Sequence, residues 1–173
     1  ILEKVIFQNS KYFGFILDIL NEKKTKTWVN FPRRYFDFYK NIKREIFGKK
    51  LYIEVVGNDW GIACNTIHFI DLFYYLTDSS NFEYNIEGLK KKIFQSKRKN
   101  FKEIKGVLKI INDKGDELIL KDESELNEEL QIIISTPSFS YKIMESKKSI
   151  HKYEFDKLIA QEKIDVPYQS ELS

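Results

Sequence analysis

The stretch from Trp60 to Leu76 carries the side chains best suited to chemistry. Ile62, Ala63, Ile67, Phe69, Ile70, Phe73, Tyr74 and Leu76 recur so that most of a helix circumference asks for burial. Against that background Cys64, Asn65, His68 and Asp71 stand three and four residues apart, on one stripe of the helix. Buried polar groups require partners, and a polar seam on an apolar helix is a common way to line a cavity. A histidine titrates near neutral pH without large perturbation, so His68 is the proton-transfer candidate of that seam. It reads either as a core histidine bonded to Asp71 or a carbonyl, or as a working base with Asp71 behind it. The lead-in Gly57-Asn58-Asp59-Trp60-Gly61 and the stripe together favour the working base.

Other charged residues are less specific. Arg33 and Arg34 open a predicted helix, where the dipole disfavours cations. They read as a surface pair or as a clamp on a carboxylate or diphosphate. Lys4 lies in the apolar run Ile1–Phe7, where the residues alone describe a solvated lysine. Between Lys90 and Lys102, basic residues interleave with Phe94 and Phe101, a combination that can bind single-stranded nucleic acid by charge and stacking. Acidic residues between Asp122 and Glu129 compensate it and no RNA-binding motif accompanies it, so an edge strand guarded by lysines is expected instead, and no nucleic-acid partner. The two histidines, His68 and His151, are far apart and no cysteine or carboxylate cluster has ligand spacing, so no metal is expected. Neither G-x-G-x-x-G, a P-loop nor G-x-S-x-G occurs, which leaves in-chain dinucleotide binding and a hydrolase triad unsupported.

These side chains must be held by a folded frame. Hydrophobic residues make up 42% of the 173, enough for a core, and a net charge of +3 describes a mixed-charge surface. A single cysteine excludes an intrachain disulfide and fits a reducing, cytoplasmic setting; no membrane-spanning run or signal peptide is visible. The first half reads as strand Ile1–Phe7, a helix capped by Asn9 or Ser10 running to Glu22, strand Thr25–Phe31, helix Arg33–Phe47, strand Lys50–Val56 and helix Trp60–Leu76. Strands follow over Phe82–Ile86, Lys90–Phe94, Phe101–Asn112, Glu117–Lys121, Leu130–Ser135, Phe139–Glu145 and Ile150–Phe155. Helices first and antiparallel strands afterwards predict an α+β domain over residues 1–155, with 156–173 as a tail. A start at Ile1, inside an apolar run, leads us to expect a piece of a longer protein.

Three segments together resemble the Gfo/Idh/MocA oxidoreductases, a family of sugar, inositol and nucleotide-sugar dehydrogenases. Ile1-Leu2-Glu3-Lys4-Val5 matches the family's Glu-Lys-Pro signature, with Val5 in place of proline. Trp28-Val29-Asn30-Phe31-Pro32-Arg33-Arg34 resembles the strand-to-helix step into its C-terminal domain. The run from Gly57 to Asp71 looks like its glycine-rich lead into a D-x-G-x-H-x-x-D helix, with His68 and Asp71 matching and Cys64 and Thr66 replacing the aspartate and glycine. The resemblance implies an open, mostly antiparallel sheet with helices on one face, whose other face forms a homo-oligomer. It further implies the substrate-binding half of an NAD- or NADP-dependent enzyme for a sugar or nucleotide sugar, in surface polysaccharide biosynthesis, with the cofactor on an N-terminal Rossmann domain and none on this chain. On that reading Lys4 and His68 are catalytic, and Arg33, Arg34, Trp60 and Asn65 bind substrate. Asp71 and Cys64 stand behind them, with Asn65 offering the polar contact Cys64 lacks. The alternatives are a non-enzymatic interaction or oligomerisation domain, or an RNA-binding module on the lysine-rich strand.

Overall fold

The computed structural model describes residues 9–96, 99–123 and 129–167. Lys4 and the strand expected over Ile1–Phe7 lie outside the described residues. The chain divides into two compact units, residues 1–32 and 33–173. In the first, a 3-10 turn (Ser10–Tyr12) leads into α1 (Phe13–Glu22), and the Asn9 Oδ1 accepts from the Lys11 amide at 3.0 Å, the cap its residue type promises. Thr25–Phe31 forms no strand. The Phe31 N–H donates to the Val29 carbonyl at 3.0 Å, and this tight turn before Pro32 consumes the extended backbone that the alternation suggested.

The second unit is an α+β domain built on an eight-stranded sheet. After a 3-10 turn (Pro32–Tyr35) come α2 (Asp37–Glu45), β1 (Tyr52–Gly57) and α3 (Ile62–Thr77). The strands β2 (Phe82–Asn85), β3 (Phe94–Gln95), β4 (Lys102–Glu103), β5 (Gly106–Asn112) and β6 (Glu117–Asp122) follow. The last four are β7 (Gln131–Ser135), β8 (Ser140–Met144), β9 (Ser149–Glu154) and β10 (Lys157–Lys163). The sheet order is β10-β9-β8-β7-β1-β6-β5-β2; β3 and β4 form a separate ribbon. All pairings are antiparallel except β1 with β6, where Tyr52 faces Glu117 and Val55 faces Leu120.

The period-two alternation of these strands decides which face is covered. Ile53 and Val55, Ile110, Leu118 and Leu120, Ile132 and Ile134, and Ile143 point to one side and are fully buried. There they meet Tyr39, Ile42 and Ile46 from the α2 segment and Phe69, Leu72, Phe73 and Leu76 from α3. Each such side chain stabilises the fold by about 1.5–3 kcal/mol. The other face carries Val56, Val107, Ile111, Ile119 and Ile133 mixed with Glu54, Lys109, Lys121 and Lys142, and these are only half-buried.

Several strand bounds differ from expectation for identifiable reasons. Arg33–Phe47 becomes a 3-10 turn and then a helix from Asp37, so the arginines precede the helix and an aspartate occupies its first turn, as the dipole prefers. Phe101–Asn112 is broken at Ile104 and Lys105, just ahead of Gly106, whose φ of +115° and close approach to the Gly88 carbonyl admit only glycine. Of Lys90–Phe94 only Phe94 is strand, because three consecutive lysines offer no alternation to bury. Lys157–Lys163, expected in a tail, is the edge strand of the sheet. Phe155 and Asp156 both take positive φ (47° and 64°), making the two-residue hairpin loop that usually announces itself as Asn-Gly.

Candidate functional site

The lead-in to α3 is fixed by charges that sequence reasoning did not single out. Asp122, at the inward end of β6 and 0% exposed, accepts from the Asp59 amide at 2.7 Å and the Gly61 amide at 2.9 Å. Trp60 donates its indole N–H to the Lys121 carbonyl at 2.8 Å and stands edge-on to Phe69 at 5.3 Å. Lys105 pairs with Asp59, and Glu103 accepts from the Ala63 amide, at the helix start where a carboxylate is favoured. Gly61 has φ +84°, and a Cβ there would lie 2.7 Å from Glu103 Oε2, so the glycine lets the carboxylate reach the helix end.

The expected stripe runs from solvent into the core. Cys64 is exposed, Asn65 and His68 are half-buried and Asp71 is buried. Asn65 donates from Nδ2 to the Trp60 carbonyl at 2.6 Å, which ties the stripe to the lead-in loop. Asn58 Oδ1 and Thr66 Oγ1 are buried without a hydrogen-bond partner among the described residues, one in the loop and one in the first turns of α3. Asp71 takes both Nε (2.7 Å) and Nη2 of Arg34, whose guanidinium lies 5.0 Å over the Tyr74 ring.

Arg33 is turned inward. Its Nε and Nη2 donate to the two oxygens of Glu145 at 2.9 and 2.7 Å, and its guanidinium lies 4.6 Å from the Phe69 ring centre. The Tyr39 hydroxyl also donates to Glu145 at 2.8 Å; burial, seconded by that carboxylate, pushes the phenol well above its usual pKa, so it stays a donor. Both arginines therefore hold carboxylates of the chain itself. Trp60, Asn65 and the Asp71–Arg34 pair are brought to one helix, and Arg33 is joined to them through Phe69.

Two cavities of about 440 Å3 are lined by described residues. One lies between α2 and the strands β8 to β10, the other at the carboxyl end of α3, and neither is lined by a predicted site residue. Lys92 of the lysine-rich stretch and Lys105 beyond it approach the Phe94 ring at 5.5 and 5.2 Å, which places ammonium groups where a base would stack. Among the described residues, no group of three or more His, Cys, Asp or Glu could hold a metal ion, and no helix is long and apolar enough to cross a membrane.

No family model and no curated protein matches the sequence. Solved structures do match the fold. A dehydrogenase (MviM) from Clostridium difficile superposes with TM-score 0.68 at 14% identity, over 94% of this chain and 54% of that one. The UDP-N-acetylglucosamine 3-dehydrogenase GnnA from Acidithiobacillus ferrooxidans gives 0.68 at 11% identity, over 96% and 56%. A super-repressor mutant of Gal80p from Saccharomyces cerevisiae gives 0.64 at 13% identity, over 96% and 54%. The chain has the α+β fold of the Gfo/Idh/MocA-type oxidoreductases.

It spans about half the length of those structures. Within this Gfo/Idh/MocA fold, the strand-to-helix turn from β1 to α3 does not fit a dinucleotide. The amides a pyrophosphate would need are taken by Asp122 and Glu103, two carboxylates that would repel it. Asp122 was nonetheless legible: it continues the inward series Leu118, Leu120. Glu103 and Lys105 were not, because in one unbroken strand they share the outward parity of Val107 and Lys109. The turn at Gly106 brings both inside, to 8% exposure.

Proposed function

We propose that this chain is the substrate-binding domain of an NAD- or NADP-dependent oxidoreductase acting on a sugar or nucleotide sugar. The observation that carries the reading is the fold shared, over 94–96% of the chain, with a dehydrogenase and with a UDP-N-acetylglucosamine dehydrogenase. The nicotinamide, held by a partner Rossmann domain, would supply hydride acceptance, since the β1–α3 turn does not suit a dinucleotide. The chain's own residues bind and orient the sugar at the amino end of α3. Trp60, locked by the Lys121 carbonyl, and Asn65, locked to the Trp60 carbonyl, form a rigid rim. His68 handles the proton of the carbinol hydroxyl. Arg33 and Arg34 act indirectly, by holding the backbone ahead of α2 against Glu145 and Asp71. The half-buried open face, with Val56, Ile119 and Ile133 among its charges, joins copies of the chain into a homo-oligomer, as such mixed faces do in interfaces. A reducing cytoplasm suits the free, exposed Cys64, and surface polysaccharide biosynthesis is a setting that consumes nucleotide sugars.

One observation favours a second reading, an interaction domain without catalysis. Cys64 is exposed where the family resemblance asks for an aspartate. The two separate in one assay. Protein comprising this chain and its dinucleotide-binding partner domain, given NAD or NADP and UDP-N-acetylglucosamine or simple sugars, reduces the cofactor on the first reading, and His68→Ala abolishes it. Binding of partner proteins with no turnover on any sugar supports the second. Turnover by the present chain alone would overturn the assignment of the cofactor to another domain.

A further inference from the structure

The carboxyl end of α3 holds a cavity of about 440 Å3 that the proposed sugar site does not use. The sixteen residues of α3 put it about 24 Å from the helix's amino end. Lys43, Lys49, Lys50 and Lys114 converge on it, opposed by Asp78 and Asp116. Asp116 is spent inside the fold, accepting from the Leu51 amide at 2.8 Å and from Asn112 Nδ2 at 3.0 Å. Asp78 takes Lys43 at 2.5 Å. The other three ammonium groups donate to or pack against neutral groups among the described residues, while Glu45 feels Lys49 and Asp113 feels Lys114 at longer range. Lys114 donates to the Thr77 carbonyl at 2.6 Å and the Asp78 carbonyl at 3.3 Å, and Lys50 donates to the Lys114 carbonyl at 3.3 Å. Lys49 lies 5.9 Å from the Phe139 ring. A neutral partner solvates a charge of either sign without cancelling it, and with four lysines lining the cavity against two aspartates it keeps a positive excess. Lys114 also covers the negative end of α3, which would otherwise repel an anion. The walls are partly apolar, with Leu51, Leu76 and a Phe47 that is 83% exposed at the rim.

We infer that this cavity binds a phosphorylated small molecule, its phosphate oxygens on Lys49, Lys50 and Lys114 and its organic body against Phe47. Lysines act on phosphate as compact point charges, and several sharing one cavity repel each other until an anion enters. The cavity size suits a metabolite-sized ligand. This inference stands apart from the sugar-site reading, because it uses none of the same residues.

Inorganic pyrophosphate titrated calorimetrically into the full chain at low salt tests it. Saturable one-site binding is expected, weakened at least about tenfold by Lys49→Glu/Lys50→Glu and weakened by added salt. Lys90→Glu/Lys91→Glu, an equal charge change in the other lysine-rich stretch, should leave affinity unchanged. Amide shifts confined to Phe47–Leu51 and Lys114 would locate the same ligand without any substitution. Heats that never saturate, equal affinity in both double variants, or loss only in the Lys90/Lys91 variant would overturn the inference, the last by placing the anion, or a nucleic acid, on that stretch.

Discussion

The two ends of α3 solve opposite electrostatic problems. At the amino end Asp122 and Glu103 satisfy loop and helix amides, and Lys105 meets Asp59. Charge there is closed on itself and fixes the lead-in over residues 59–63 that carries Trp60. At the carboxyl end, lysines meet carbonyls, and charge is left for a ligand. A charged cluster is thus functional or structural according to what its groups already hold, not according to its composition.

The largest effect belongs to the closed side. Arg33→Ala would leave Glu145 and Tyr39 facing each other in a side-chain environment only 15–16% exposed, and urea unfolding should show a loss of about 3–5 kcal/mol. A stable Arg33→Ala chain would mean that Arg33 is free to serve substrate after all. Asp122→Ala removes the acceptor of two buried amides, and a loss of about 2–3 kcal/mol is expected in the same measurement. Hydrogen exchange should then speed up at Asp59 and Gly61 and not at Lys114.

Glu45 gives a middle case. Burial would raise its pKa, but the Lys152 ammonium and the Tyr141 hydroxyl outweigh it and hold the carboxyl below the usual range. A depressed folded pKa contributes stability above the unfolded value of about 4.3 and loses it as pH falls through the folded one. The melting-temperature gap between wild type and Glu45→Gln should therefore be constant above pH about 6 and close below about 4. Its size stays under about 1 kcal/mol, because the carboxylate is well solvated. The smallest effect is predicted at the open end: Lys49→Glu/Lys50→Glu should change stability by less than about 0.5 kcal/mol while weakening pyrophosphate binding at least about tenfold. A large destabilisation there would make those lysines structural and erase the contrast.

Much of this frame was legible in the sequence. β1, β6, β7, β8 and α3 were visible because their alternation or helical period matches a real buried face. β10 was not, since Phe155-Asp156 adopts a hairpin loop without Asn or Gly. At the site, the polar stripe and the glycine-bounded lead-in were readable, as they depend on local spacing. The partners of Arg33 and Arg34 were not, because Glu145 and Asp71 lie 112 and 37 residues away and only the folded sheet brings them near.

The amino end of α3 is proposed to bind a sugar. The direct test is a nuclear magnetic resonance titration of the Lys49→Glu/Lys50→Glu chain with UDP-N-acetylglucosamine, so that phosphate binding at the far end does not contribute. Saturable shifts at the amides of Cys64, Asn65 and His68 and at the Trp60 indole N–H are predicted. Saturable shifts elsewhere, with these four signals unmoved, would contradict it.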